Sequence, residues 1–285
     1  MTNYIVITPA RDEERLLPGL IDSMAAQTRL PQRWTIVNDG SVDSTAAIIN
    51  AAAHQHSWIE PLHLEQRHLR TEGGESAVRD LLSPQLANRY SYILRLDADL
   101  SFSPNFIELL LDEFARDPKL GIGGATLCEP YGSGWREIQT PQFHTRGAVK
   151  MYSAECFAAI GGLDSGLGWD TIDEATALMR GYHTRSFRHI HARHHRPQGA
   201  AGGRWRGRLS GGRAAYRAGY APGFMVARAA AHVFARPYVI GSVLMLGGFA
   251  EGYLRRLPQA ASPELIKFVR REQRRRLLML NSVWR

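Results

Sequence analysis

Over the first 115 positions, short apolar runs that end in polar turns alternate with longer stretches whose apolar residues recur at helical spacing. Tyr4 to Thr8, Trp34 to Val37, Ile59 to Leu64 and Tyr92 to Leu96 read as strands. Leu16 to Ala26, Ala46 to Ala53, Ser76 to Leu82 and Pro104 to Phe114 read as helices. The segment Pro9-Ala10-Arg11-Asp12-Glu13-Glu14 is expected to open the first helix, with acidic residues in the turn that the helix dipole favours. Such alternation predicts an α/β fold built from βαβ units around a mostly parallel sheet. Ligands of open α/β sheets sit outside the carboxyl ends of the strands. The polar clusters after Thr8, Val37 and Leu96 all fall at such ends, so one sheet edge is the candidate nucleotide site.

The last cluster, Leu96-Asp97-Ala98-Asp99, sets two carboxylates two residues apart at a strand end. Hard divalent cations such as Mg²⁺ or Mn²⁺ take oxygen ligands and hold nucleotide diphosphates with only one or two protein carboxylates. A solvated acidic turn would carry the same pattern, so the pair alone does not decide.

The chain has 285 residues, 44% hydrophobic and 22% charged, which excludes a disordered protein and predicts one ordinary domain with an extension. Cys128 and Cys156 offer neither a disulfide framework nor zinc spacing, and Met1 to Ile7 lacks the pattern of a signal peptide. A reducing, cytoplasmic setting is therefore expected. The net charge of +8 conceals a division: residues 1–179 carry 14 basic and 24 acidic side chains, whereas residues 180–285 carry 21 and 3. The second region is expected to meet something anionic, whether nucleic acid, phosphorylated substrate or membrane surface.

Residues 199–228 are rich in Gly and Arg but lack the aromatic stacking platform of nucleic-acid modules, so no nucleic-acid partner is expected. Pro237 to Ala250 is uncharged between Arg236 and Glu251. A bilayer span needs ~20 residues, so this stretch reads as an interfacial segment against anionic headgroups or as a buried helix. Pro263 to Leu280, apolar at Leu265, Ile266, Phe268 and Val269 and basic from Arg270 onward, reads as a surface helix able to dock on a membrane. His189, His191, His194 and His195 lie among arginines with no carboxylate or thiolate nearby in sequence, which argues against zinc.

Taken together, Thr8-Pro9-Ala10-Arg11-Asp12-Glu13-Glu14, Val37-Asn38-Asp39-Gly40-Ser41 and Leu96-Asp97-Ala98-Asp99 resemble, in order and spacing, the family 2 glycosyltransferases of the GT-A fold. The resemblance covers about residues 3–185. It implies a GT-A catalytic domain over 1–198, a basic helical extension over 199–285, and sugar transfer from a nucleotide diphosphate donor, most commonly a UDP-sugar. By resemblance Asp39 accepts a hydrogen bond from the base, and Pro9, Arg11 and Glu13 belong to the segment lining the base and ribose pocket. Asp97 holds the ribose or outer-shell waters, Ala98 belongs to the nucleotide-binding set, Asp99 ligates Mg²⁺ or Mn²⁺, and His195 reaches the metal or diphosphate. Arg79 stands where the family carries a basic phosphate contact, although Asp80 replaces the usual Asn and a surface ion pair is the alternative.

Gly166-Leu167-Gly168-Trp169-Asp170-Thr171-Ile172-Asp173-Glu174 resembles the acceptor-side acidic motif of the family. Inverting transfer needs a carboxylate to take the proton of the attacking hydroxyl. Asp170 matches that base best, and Trp169 in place of the usual Glu keeps Asp173 in play. If Asp170 caps the helix, Asp173 and Glu174 lie on its same side. Trp169 either packs on a sugar ring or belongs to the core. A glycan or polyprenyl-linked acceptor in cell-surface polysaccharide synthesis follows, with the enzyme peripherally on the inner face of the membrane. The alternatives are a nucleotidyltransferase, which would carry a Gly-rich basic loop where this chain has the acidic Pro9–Glu14, and a basic nucleic-acid-binding module on residues 180–285.

Overall fold

Strands β1 (Tyr4–Ala10), β2 (Arg33–Asn38), β3 (Ile59–His63) and β4 (Tyr92–Leu96) form the parallel half of one mixed sheet. The central strands β1 and β4 are buried on both faces, whereas the edge strand β3 is largely exposed, and Val6, Trp34, Ile36 and Leu94 have no exposed surface. Helices α1 (Leu17–Ala25) and α2 (Thr45–Gln55) supply the crossovers. The computed structural model describes residues 3–65, 89–164, 166–196, 204–233 and 238–284. The helix expected over Ser76–Leu82, with Arg79, lies outside them.

The remaining strands are β5 (Leu100–Phe102), β6 (Leu120–Tyr131), β7 (Gly134–Glu137), β8 (Val149–Ser153) and β9 (His183–His194). The order across the sheet is β3-β2-β1-β4-β8-β6-β9-β5, with β7 paired to β6. Helices α3 (Phe106–Arg116) and α4 (Ala154–Ile160) belong to this unit, which comprises residues 1–166 and 180–196. α3 is strongly amphipathic, burying Phe106, Ile107, Leu110, Leu111 and Phe114.

The first turn of α1 departs from expectation. Pro9 and Ala10 stay in β1, in register with Val37 and Asn38, and Asp12 takes the left-handed conformation at φ 56°. That backbone cannot enter a helix, so α1 begins only at Leu17 and its first turn holds no acidic residue. The acidic segment is instead a loop at the carboxyl end of β1.

A second unit comprises residues 167–179 and 197–285. It holds α5 (Trp169–Met179), α6 (Arg204–Arg217), α7 (Pro222–Ala231), α8 (Tyr238–Leu254) and α9 (Pro263–Leu277). The acidic segment at 169–174, expected within the catalytic domain, thus groups with the C-terminal helices. The Gly/Arg-rich run from Arg204 is helical rather than low-complexity coil. One glycine of the run and one of α8 have a packing reason: a Cβ on Gly212 would sit 2.0 Å from the Met245 carbonyl, and one on Gly248 would sit 2.0 Å from that of Leu209. Ala215, Tyr216, Met225, Ala229, Met245 and Phe249 close the core over this crossing. Among the described residues no helix is long and apolar enough to cross a membrane.

Candidate functional site

The parallel register brings the ends of β1, β2 and β4 to one edge. There the 11–14 loop is stitched to the turn after β2, through Asp12 N–H to Ser41 Oγ (3.1 Å), Glu13 N–H to Thr45 Oγ1 (2.8 Å) and Glu14 N–H to Asp43 Oδ2 (3.2 Å). Returning bonds run from Val42 N–H to Asp12 Oδ1 and from Ser44 N–H to Glu14 Oε2. Asp39, only 1% exposed, lies 3.3 Å from Arg11 Nη1, and its N–H donates to the Ala10 carbonyl. Gly40 at φ 60° turns the chain away in a conformation that a side chain disfavours. Pro9, at the end of β1, is half-buried.

At the end of β4, Arg95 Nη1 lies 2.9 Å from Asp97 Oδ1, and Asp97 N–H donates to the Ala148 carbonyl. Ala98 is buried. The β5–β9 ladder then decides what faces Asp99: Leu100 pairs with His194, and the His195 N–H donates to the Asp99 carbonyl at 3.0 Å. His194 Nε2 ends 3.2 Å from Asp99 Oδ1, and donor atoms of Asp97, Asp99 and His194 lie within 4.8 Å of one another.

His195, the histidine expected at the metal, turns the other way. Its Nε2 lies 2.8 Å from Ser101 Oγ and its ring stands edge-on to Trp135. Alternation along β9 explains the exchange, since Ile190, Ala192 and His194 point inward and His191, Arg193 and His195 outward. No strand is expected here from the sequence. Nor are carboxylates adjacent to the histidines in sequence, yet His183, His189, His191 and His194 each approach one that is distant along the chain: Asp117, Glu113, Glu137 and Asp99.

Two oxygen donors and one imidazole suit a hard or borderline divalent cation. The outer shell fits as well. His194 Nδ1 is buried without a hydrogen-bond partner, and Glu129 Oε1 lies 4.0 Å away, beyond hydrogen-bond reach but on the side where an outer-shell carboxylate orients a metal-facing ring. Burial works against a charged His194, but the Asp99 hydrogen bond and the charges of Asp99, Asp97 and Glu129 outweigh it and raise its pKa. Burial lowers that of His195; Asp99 opposes the shift, and Arg193 and His194 reinforce it. Burial also raises that of Glu13, whose carboxylate pairs with Arg196, and the Asp99 and Asp97 charges push it the same way. Arg196 and Glu129 were not found from the sequence.

On α5, Asp170 is half-buried in the first turn rather than at the cap, because the helix already begins at Trp169. Asp173 and Glu174 are 4% and 2% exposed, and Asp173 Oδ1 accepts the Glu174 N–H. Trp169 is 6% exposed, which answers to a core tryptophan.

Residues 5–161, more than half of the chain, match the model of glycosyl transferase family 2. The chain belongs to that family. Solved structures of similar fold include the mannosyltransferase PcManGT of Pyrobaculum calidifontis in complex with GDP-Man and Mn²⁺, at 14% identity and a TM-score of 0.56 over 94% of this chain and 78% of that one. TarS of S. aureus is similar at 14% identity and a TM-score of 0.53, over 74% of this chain and 39% of that one, so the family 2 chain spans well under half of TarS. GalNAc-T7 with UDP, GalNAc and Mn²⁺ is similar at 14% identity and a TM-score of 0.54, over 70% and 44%. No curated protein matches the sequence significantly. At these identities the structures establish the GT-A fold that the motifs implied.

Proposed function

We propose that this family 2 protein is an inverting, metal-dependent glycosyltransferase that moves a sugar from a nucleotide diphosphate donor, a UDP-sugar, to a glycan or lipid-linked acceptor. The observation that carries the reading is the convergence of Asp97, Asp99 and His194 on the sheet edge that also holds the Arg11–Asp39 pair. PcManGT and GalNAc-T7 hold GDP-Man or UDP together with Mn²⁺ and share the fold, which supports a nucleotide-sugar donor here.

Asp39 accepts from the base, and Pro9, Arg11 and Glu13 border the nucleoside. Asp97 and Ala98 stand on its ribose side, and Arg79 is the candidate phosphate contact from the chain before β4. Asp99, His194 and Asp97 would hold Mg²⁺ or Mn²⁺, which supplies charge neutralisation for the leaving diphosphate. Asp170, half-buried, takes the proton of the acceptor hydroxyl, and Asp173 is the alternative. The basic helical unit supports a peripheral attachment to the anionic inner face of a membrane, where a polyprenyl-linked acceptor for cell-surface polysaccharide is presented.

Calorimetric titration of UDP and GDP, with and without Mn²⁺, tests the donor site on the wild type and on Asp99→Ala. UDP binding that needs both the metal and Asp99 is the expected result. Binding of neither nucleotide under any metal overturns the assignment.

A further inference from the structure

Helix α8 (Tyr238–Leu254) has an outward face that the protein leaves in solvent. Its inward face, Ser242, Met245, Gly248, Phe249 and Gly252, is buried. Ser242 Oγ also donates to the Ala229 carbonyl of α7 at 2.8 Å. On the opposite side Val239 is 56% exposed, Ile240 56%, Val243 59% and Leu254 84%, with Gly247 and Ala250 exposed between them. Those positions recur every three to four residues, so they form one stripe about 22 Å long. It carries no charge. The helix's one charged residue, Glu251, is turned into ion pairs with Arg213 (2.7 Å) and Arg255 (3.2 Å).

A helix that is apolar all round is ordinarily covered on all sides. This one is covered on one side only. The charged groups that border the open side in sequence are arginines: Arg228 at the end of α7, and Arg255 and Arg256 just beyond α8, all exposed. A second copy seated face to face would bring those arginines to a like-charged surface, whereas anionic headgroups complement them. The end of α9 repeats the composition. There Arg274, Arg275 and Arg276 are exposed and lead directly into Leu277, Leu278, Met279 and Leu280, exposed by 49%, 62%, 88% and 52%.

We infer that the outward face of α8 lies in the headgroup layer of an anionic phospholipid bilayer, with the helix along the surface and Arg255 and Arg256 on lipid phosphates. Seventeen residues reach about 25 Å, short of the ~30 Å hydrocarbon core, so the helix lies on the bilayer and does not cross it. The inference rests on the membrane attachment proposed above and gives it one surface. It does not depend on the donor-site reading.

The test is flotation of the full chain with vesicles of phosphatidylglycerol and phosphatidylcholine, against phosphatidylcholine alone. It compares the wild type, Ile240→Glu/Val243→Glu, the milder Ile240→Gln/Val243→Gln, and Leu30→Glu as an exposed apolar control on the other unit. The wild type and Leu30→Glu should float with the anionic vesicles and lose binding as salt is raised. The double Glu variant should bind about tenfold more weakly or worse and the Gln variant should fall between, with melting curves and UDP titration unchanged. If both α8 variants float like the wild type, the α8 surface is wrong and the attachment itself survives. A wild type that floats with no vesicle overturns both. A wild type that sediments as a dimer, separated into monomers by the same substitutions, assigns the face to a second copy and overturns the inference. Loss of UDP binding in the wild type would count against the transferase reading alone.

Discussion

Arg196 Nη2 lies 2.5 Å from Glu13 Oε2, and its Nε lies 3.9 Å from Asp99 Oδ2. One guanidinium therefore bridges the loop after β1 and the acidic pair after β4, although 183 residues separate Arg196 from Glu13. It sets a cation beside Glu13 and Asp99, while Arg95 pairs with Asp97. Burial chiefly raises the Glu13 pKa, Arg196 opposes that shift, and the Asp99 and Asp97 charges add to it.

A guanidinium in this position is available to a diphosphate, with which it makes charge-assisted hydrogen bonds. We expect Arg196→Ala to weaken UDP binding about tenfold, roughly 1.4 kcal/mol, and to leave uridine binding within about twofold. Parallel titrations of UDP and uridine check this. Equal losses for both ligands would mean that Arg196 acts by holding the Glu13 loop, not on phosphate.

The two adjacent histidines separate a strand-directed ligand from its neighbour. His194 faces Asp99 and His195 faces Ser101, so His194→Ala should weaken Mn²⁺-dependent nucleotide binding about 10–100-fold. His195→Ala should change it by no more than about threefold, less than the ~1.4 kcal/mol of a tenfold change. Calorimetry of UDP at fixed Mn²⁺ on both variants distinguishes them, and a larger loss at His195 would favour the assignment that the resemblance implied.

Much of the candidate site's placement was legible in the chain because parallel strands with buried faces announce themselves as apolar runs, and their polar ends share one edge. The ends of β1, β2 and β4 were read this way, and the structure brings Asp39 and the Asp97–Asp99 pair to them. What stayed hidden depends on pairings distant in sequence. β9 joins both β6 and β5, and only that ladder puts His194 beside Asp99. Its alternation at Ile190, Ala192 and His194 is visible in the sequence, but arginines and histidines fill the intervening outward positions and mask it. The segment Pro9–Glu14 misled for a local reason, because an acidic run before an apolar helix looks like a first turn even where Asp12 at φ 56° forbids one.

On α5 the carboxylates differ in burial. Asp170 is half-buried, while Asp173 and Glu174 are almost fully enclosed. We expect Asp170→Asn to lower kcat by about 10²–10⁴-fold with little change in the KM for the donor, the behaviour of a lost general base. Asp173→Asn should act mainly on stability, through the enclosed carboxylate and its bond from the Glu174 N–H. Steady-state kinetics and melting curves on both variants check the division, and a collapse of kcat at Asp173 with folding intact would transfer the role.

Two neighbouring glycines of α8 should respond oppositely to alanine. A Cβ on Gly248 would meet the Leu209 carbonyl at 2.0 Å, a backbone atom that cannot move without shifting α6. Gly248→Ala should therefore destabilise the helical unit by about 2–3 kcal/mol. Gly247 has nothing within 4 Å of the added methyl, and there the lost helix-breaking freedom should stabilise by about 0.5–1 kcal/mol. Denaturant melts followed by circular dichroism read both signs.

Glu272 gives the helical unit a defined acid limit. Its carboxylate is 1% exposed; Oε2 accepts the Val283 N–H at 3.2 Å, and Oε1 lies 3.2 Å from Arg271 Nε and 3.4 Å from Arg275 Nη1. Burial alone would raise its pKa, but the Val283 N–H, Ser282, Arg271 and Arg275 together lower it below the ordinary value of 4.5. A folded-state pKa below the unfolded one contributes stability that is complete above the unfolded value and disappears as pH falls through the folded value. Glu272→Gln should thus cost about 2 kcal/mol at pH 7, the scale of charge-assisted hydrogen bonds lost from a buried site. The difference between variant and wild type should begin to shrink below the unfolded pKa and vanish once the wild-type carboxyl is protonated in the folded state. Melting temperatures of the pair from neutral pH down to about one unit below that ordinary value test it. A gap that stays constant across the range would mean that Glu272 stabilises by its packing and not by its charge.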